Sequence, residues 1–159
     1  MSDHSKREYN LRQLLEDNFI VSRLLRKVGE AISDSSLESY FISLANKRNQ
    51  FAAELIDDIA FYGGKKPFFP PHAYDRRWSK LGSADTSKTI KKFYKLHNKS
   101  LEKYKAALSQ INDGNCREVL IRHKAFVENT LFELKSLKTL LKYSKEQRGA
   151  AKENFYETS

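Results

Sequence analysis

The sequence has little of several things, and each shortage excludes something. Its single cysteine, Cys116, leaves no partner for an intramolecular disulfide. No apolar run approaches the ~18 residues that a membrane span requires, so no spanning segment is expected. The opening MSDHSKREYN is polar and charged and does not read as a secretory leader. There is no glycine-rich phosphate loop and no Gly-x-Ser-x-Gly nucleophile elbow. These absences fit a cytoplasmic protein without a familiar catalytic motif. Six glycines and three prolines against 40% hydrophobic and 31% charged residues describe a folded chain, and 159 residues make one domain with a real core.

Charge is plentiful and uneven. The 29 basic and 20 acidic residues leave a net charge of +9. Residues 1–80 hold 13 basic and 11 acidic groups, whereas residues 81–159 hold 16 and 9. A basic half suits phosphate, nucleic acid or an anionic surface, but bulk charge also serves solubility alone.

Apolar residues at helical spacing mark four long helices. The first spans roughly 6–32, with stripe Leu11, Leu14, Asn18, Val21, Leu25, Val28 and Ile32. Ser5 with Glu8 has capping-box spacing at its start, as has Ser35 with Glu38 before the second helix. That helix spans roughly 36–62, with stripe Leu37, Phe41, Leu44, Arg48, Phe51, Leu55, Asp58 and Tyr62, and Gly63-Gly64 ends it. The third begins near Thr86 behind Asp85, with Ile90, Tyr94, His97, Leu101, Tyr104, Leu108 and Ile111 on one face. Asp113-Gly114 turns the chain, and Asn115 with Glu118 resembles another cap. The fourth runs to about Tyr143 or beyond, with stripe Leu120, His123, Val127, Thr130, Leu134, Leu137 and Leu141. The spacing predicts a domain over 1–148 and a frayed tail over 149–159. Recurrent seven-residue spacing suits antiparallel helices packed near +20°.

The connections are short, long, short. A helix of ~26 residues is ~39 Å long, and the stretch from Gly63 to Asp85 can return the chain over that length. Within it, Pro67-Phe-Phe-Pro70-Pro71 must be extended, and Tyr74, Trp78 and Leu81 are spaced for a short helix. The expectation is an all-α bundle of two antiparallel hairpins joined by a long crossover over about 63–85, as in ferritin-like folds.

The run Arg48-Asn49-Gln50-Phe51-Ala52-Ala53-Glu54-Leu55, followed by Gly63-Gly64, Trp78 and Tyr104-Lys-Ala-Ala-Leu108, resembles a family of small bacterial ferritin-like four-helix-bundle proteins of unknown function. The similarity covers about residues 10–142. It implies the ferritin-like fold and no settled activity. Di-iron members of that fold use a Glu from each of two helices and a Glu-x-x-His from each of the others. No Glu in this chain has His three residues later. The corresponding pair in the second helix is Arg48 and Phe51, and in the fourth Glu128 is followed by Leu131. Where the family tends to carry an acidic residue, this chain has His97.

Asn18, Arg48 and His97 fall at similar depth. They read as a buried polar layer fixing helix register or as a small-ligand or anion pocket, and the structural reading is preferred. Antiparallel pairing puts His123 opposite Tyr104, a level seven residues or ~10 Å from His97, so the two histidines are not expected to share a metal. Glu54, Asp57 and Asp58 read as a salt-bridged surface. A metal site from Glu54, Asp58, His97 and Glu128 is the weaker alternative. Cys116 beside Arg117 reads as a packing residue, the alternative being a thiol activated at a helix start. Lys88, Lys92, Lys95, Lys99 and Lys103 form one ridge of the third helix, predicted to face away from the core, with Tyr94 and Tyr104 facing inward. Such a ridge suits a polyanion, but nucleic-acid readers add exposed aromatics. The sequence therefore predicts a non-catalytic structural or interaction module without a cofactor, with a homodimer as one form. The alternatives are a degenerate metal binder or a polyanion-binding module acting through the ridge.

Overall fold

The computed structural model describes residues 2–65 and 85–157, with side chains to Ser144 and at Gln147. It is helical throughout, with no strand among the described residues: α1 (Asp3–Ala31), α2 (Ser35–Phe61), α3 (Thr86–Gln110) and α4 (Gly114–Glu157). No helix among the described residues is long and apolar enough to cross a membrane. The greater part of the 63–85 connection, including the proline run and Tyr74, Trp78 and Leu81, lies outside the described residues, as do the last two of the chain.

The helix starts differ from the predicted caps. Ser2, not Ser5, caps α1 by accepting from the Ser5 amide. Asp34 caps α2 through the Leu37 amide. Asp113 Oδ1 accepts from the Cys116 amide at 3.0 Å, so Asn115 already lies inside α4. In the last two cases a carboxylate takes the position, where it satisfies a free amide and meets the positive end of the helix dipole. α3 starts at Thr86 as predicted, and Asp85 caps it by accepting from the Ser87 amide. At the end of α2, Gly63 has φ 87°, a left-handed conformation that glycine adopts without a Cβ clash. The Gly63 amide donates to Ala60 O and the Gly64 amide to Ile59 O, a Schellman closure.

Cross-helix contacts fix the directions. Ser22 Oγ donates to Ala45 O, and Arg48 reaches Asp17, so α1 and α2 are antiparallel. Asn10 bonds Gln110, and Asn18 bonds Tyr104, so α1 and α3 are antiparallel. Tyr62 bonds Asp113, and Glu54 bonds His123, which sets α4 antiparallel to α2. Hence α1 and α4 run one way and α2 and α3 the other, and the end of α2 lies at the opposite end of the bundle from the start of α3.

The apolar core has two parts. One includes Leu11, Leu14, Leu55, Ile59, Tyr104, Ile111 and Leu120. The other includes Val21, Leu25, Phe41, Leu44, Ile90, Phe93 and Leu134. On α1, Asp17 and Asn18 fall between the two parts, as Arg48 does on α2 and His97 and Ser100 do on α3. The third helix corrects one reading: Phe93 is wholly buried and Tyr94 is 37% exposed. Both satisfy helical periodicity to within a residue, and the ring without a hydroxyl takes the core, where it packs on Phe41 at 5.3 Å.

Candidate functional site

The middle of the bundle is polar, and two bonded networks run through it. The first centres on Arg48, which is wholly buried. Its Nη2 donates to Asp17 Oδ2 at 3.1 Å and to Ser100 Oγ at 2.6 Å. Ser100 in turn donates to Asp17 Oδ2 at 2.6 Å. Lys103 Nζ reaches Asp17 Oδ1 at 3.1 Å from the surface. Asp17 thus has two cations, whereas Arg48 has one carboxylate partner among the described residues, Asp17. A buried guanidinium without an anion is strongly unfavourable, so the pair is a structural necessity once Arg48 is in the core.

The second network crosses all four helices and has one direction. Asn18 Nδ2 donates to Leu14 O and to the Tyr104 hydroxyl oxygen, each at 2.8 Å. The Tyr104 hydroxyl lies 3.0 Å from His123 Nδ1, and His123 Nε2 lies 2.8 Å from Glu54 Oε2. Arg122 holds both Glu54 oxygens from outside at 3.2 and 3.0 Å. Burial pushes the His123 pKa down to about 4, against the opposing pull of Glu54. The ring is therefore neutral near pH 7. A carboxylate only accepts, so the proton sits on Nε2, and Nδ1 accepts from Tyr104. Burial raises the Glu54 pKa, but the bonds from Arg122 and His123 outweigh it and hold the carboxyl below its ordinary value. Phe51 stacks on the His123 ring at 3.8 Å, fixing its plane.

His97 belongs to neither chain of bonds. Its Nδ1 lies 2.8 Å from Phe93 O, which requires Nδ1 to donate. Burial, then the Arg48 charge, lowers its pKa to about 3, so it too is neutral. Its Nε2, Asn18 Oδ1, and Arg48 Nε and Nη1 are buried polar atoms without a protein hydrogen bond among the described residues. They comprise two acceptors and two donors.

The three predicted layer residues, Asn18, Arg48 and His97, are all wholly buried. They do not bond to one another: Arg48 bonds Asp17 and Ser100, Asn18 bonds Leu14 O and Tyr104, and His97 bonds Phe93 O. Glu54, Asp58, His97 and Glu128 do not gather into one cluster. Glu54 holds His123 and Arg122, and Glu128 pairs with Lys124 on the surface at 2.6 Å. Burial, then Glu54, Asp57 and Asp113, raises the Asp58 pKa. Among the described residues no group of three or more His, Cys, Asp or Glu is arranged to hold a metal ion. A guanidinium supplies no lone pair and repels a dication, so the donor set around Arg48 does not fit one. Cys116 is buried, and burial, then Asp58 and Asp113, pushes its thiol up to about 11, the reverse of activation.

Two surface readings change. Lys103 is 49% exposed, but its ammonium is tied to Asp17, so it is not a free member of the ridge. Lys88, Lys92, Lys95 and Lys99 are exposed. Tyr94 is exposed beside them. Sequence spacing missed Asp17 and Ser100. The usable signal was that Asp17 stands three residues after Leu14 and four before Val21, and Ser100 three after His97 and four before Tyr104. No protein-family model matches the chain, and no curated protein matches it.

Proposed function

We propose that this chain is a ferritin-like four-helix bundle without a di-iron centre, a non-catalytic structural or interaction module that works without a cofactor. The observation that carries the reading is the buried Arg48–Asp17–Ser100 cluster at mid-bundle, where ferritin-like enzymes keep their metal ligands. The helix directions, with α2 and α3 running the same way, support the ferritin-like arrangement over a bundle that alternates at every step. The resemblance of the Arg48–Leu55 run and of Tyr104–Leu108 supports it independently. Kinship with that family, and a cytoplasmic location, belong to the same reading; the location rests on the lone cysteine. In this account the polar layer fixes register, because a slip of one helix turn would strand Arg48 without Asp17. The test is Fe(II) addition to the purified protein under air. Oxidation no faster than in buffer is expected. Saturable oxidation at two irons per chain, abolished by His123→Ala, would overturn the reading.

A further inference from the structure

A groove between α3 and α4 has a volume of about 240 Å³ and is lined by Ile90, Lys91, Tyr94, Leu134, Lys135 and Lys138. Ile90 and Leu134 lie beneath it, and its open lining, mainly the Tyr94 ring and the lysine stems, is more apolar than polar. Tyr94 forms an aromatic wall with 37% of its surface open. Lys91, Lys135 and Lys138 are exposed around it and make no ion pair among the described residues. The volume is below the roughly 300–1,000 Å³ that encloses a whole drug-sized ligand, so the groove admits one planar ring at a time. Lys91 stands three residues after Lys88 and four before Lys95, so the rim continues into the ridge of α3. From Lys88 to Lys99 that ridge is about 17 Å long at 1.5 Å per residue, longer than one small anion. In all, α3 carries seven lysines against one glutamate.

We infer that this face binds single-stranded nucleic acid, with one base in the groove against Tyr94 and the backbone phosphates on Lys91, Lys135, Lys138 and the ridge. A ring-sized apolar groove joined to a long cationic track matches a ligand that repeats an aromatic ring and an anion. Stacking on an aromatic side chain inside a basic groove is the usual means of sequence-tolerant strand binding. Duplex fits poorly, because its bases are stacked and unavailable to Tyr94. The ligand-facing hydrogen-bonding side-chain groups at the groove are ammonium groups and one phenol, so little base preference is expected. The inference is independent of the metal-free core, because the groove lies on the outer side of α3 and α4.

The test is fluorescence anisotropy with a labelled oligothymidylate, its duplex with oligoadenylate, and anionic phospholipid vesicles, at low and moderate salt. Binding of the single strand at low salt, tighter than the duplex, is expected. Tyr94→Ala should weaken it by about five- to 140-fold, the worth of one base stacked on an aromatic ring. Tyr94→Phe should stay within about twofold, since the ring face is kept. Changing Lys91, Lys135 and Lys138 together to Gln should flatten the log–log salt dependence by about 2, from roughly 0.7 per phosphate contact. Circular dichroism of each variant should match the parent, because these side chains are at the surface. The inference fails if the oligonucleotide does not bind at low salt, if Tyr94→Ala binds like the parent, if duplex binds as tightly, or if vesicles bind and the strand does not.

Discussion

Replacing either partner of the central ion pair should have unequal consequences. Asp17 is held by Arg48, by the Ser100 hydroxyl and by Lys103, whereas Arg48 has one carboxylate partner among the described residues, Asp17. Asp17→Asn leaves a wholly buried guanidinium without its anion, a change that costs about 3–5 kcal/mol. Arg48→Met leaves the carboxylate with Lys103 at 3.1 Å and Ser100 at 2.6 Å. The loss is then about 1.5–3 kcal/mol, the range for a hydrogen bond to a charged group. Removing both charges, as Asp17→Leu with Arg48→Met, should bring stability back to near the parent or raise it by about 1–4 kcal/mol. At this chain length 1 kcal/mol moves the melting temperature by about 2–4 °C, so Asp17→Asn should lower it by about 6–20 °C. Urea unfolding followed by circular dichroism, with melting curves alongside, reads all three. Arg48→Met costing as much as Asp17→Asn, or the double change costing the sum of the two, would refute the asymmetry.

Stability should also depend on pH through the two core histidines. Their pKa values of about 3 and 4 in the folded chain lie below the ordinary 6.5, so the unfolded chain binds more protons. The contribution is fully present above pH ~6.5 and is lost as pH falls through about 4, with a slope approaching about 2.7 kcal/mol per unit for both rings. Glu54, held below its ordinary value, adds to the loss at lower pH, and Asp58, held above it, opposes. Urea midpoints from pH 7.5 down to 4.5 check the trend, and His97→Leu should reduce the slope by about half. Tyr104→Phe removes the hydroxyl that joins Asn18 to His123, leaving buried groups unpaired, and should cost about 1–3 kcal/mol in the same unfolding assay. Lys92, Lys95 and Lys99 changed together to Gln should leave the melting temperature within about 2 °C of the parent, as exposed side chains do.

Much of the fold was legible because long helices repeat their signal. Arg48, Phe51 and Leu55 lie on the buried face as their spacing implied, and His123 does meet Tyr104 across the α3–α4 hairpin. Caps were harder. Ser35 with Glu38 has the right spacing, yet Asp34 one residue earlier is the better acceptor, and neighbouring polar residues compete for one position. Periodicity also failed to separate Phe93 from Tyr94, since adjacent residues differ by only 100° around the helix. The choice depended on which ring could meet Phe41, a fact of tertiary packing. The polar layer was half legible. Arg48 announced itself as a charge on an apolar stripe, but its partner Asp17 sits 31 residues away on another helix, where spacing within a helix carries no information.

The most direct test of the account is a crystal structure of the protein grown with excess Fe(II) or Mn(II) and measured at the metal's absorption edge. The account predicts Arg48 Nη2 within hydrogen-bonding distance of Asp17 Oδ2 and Ser100 Oγ, and no anomalous peak at mid-bundle. One or two peaks at coordination distance from His123, Glu54 or His97, with Arg48 swung away from Asp17, would contradict it.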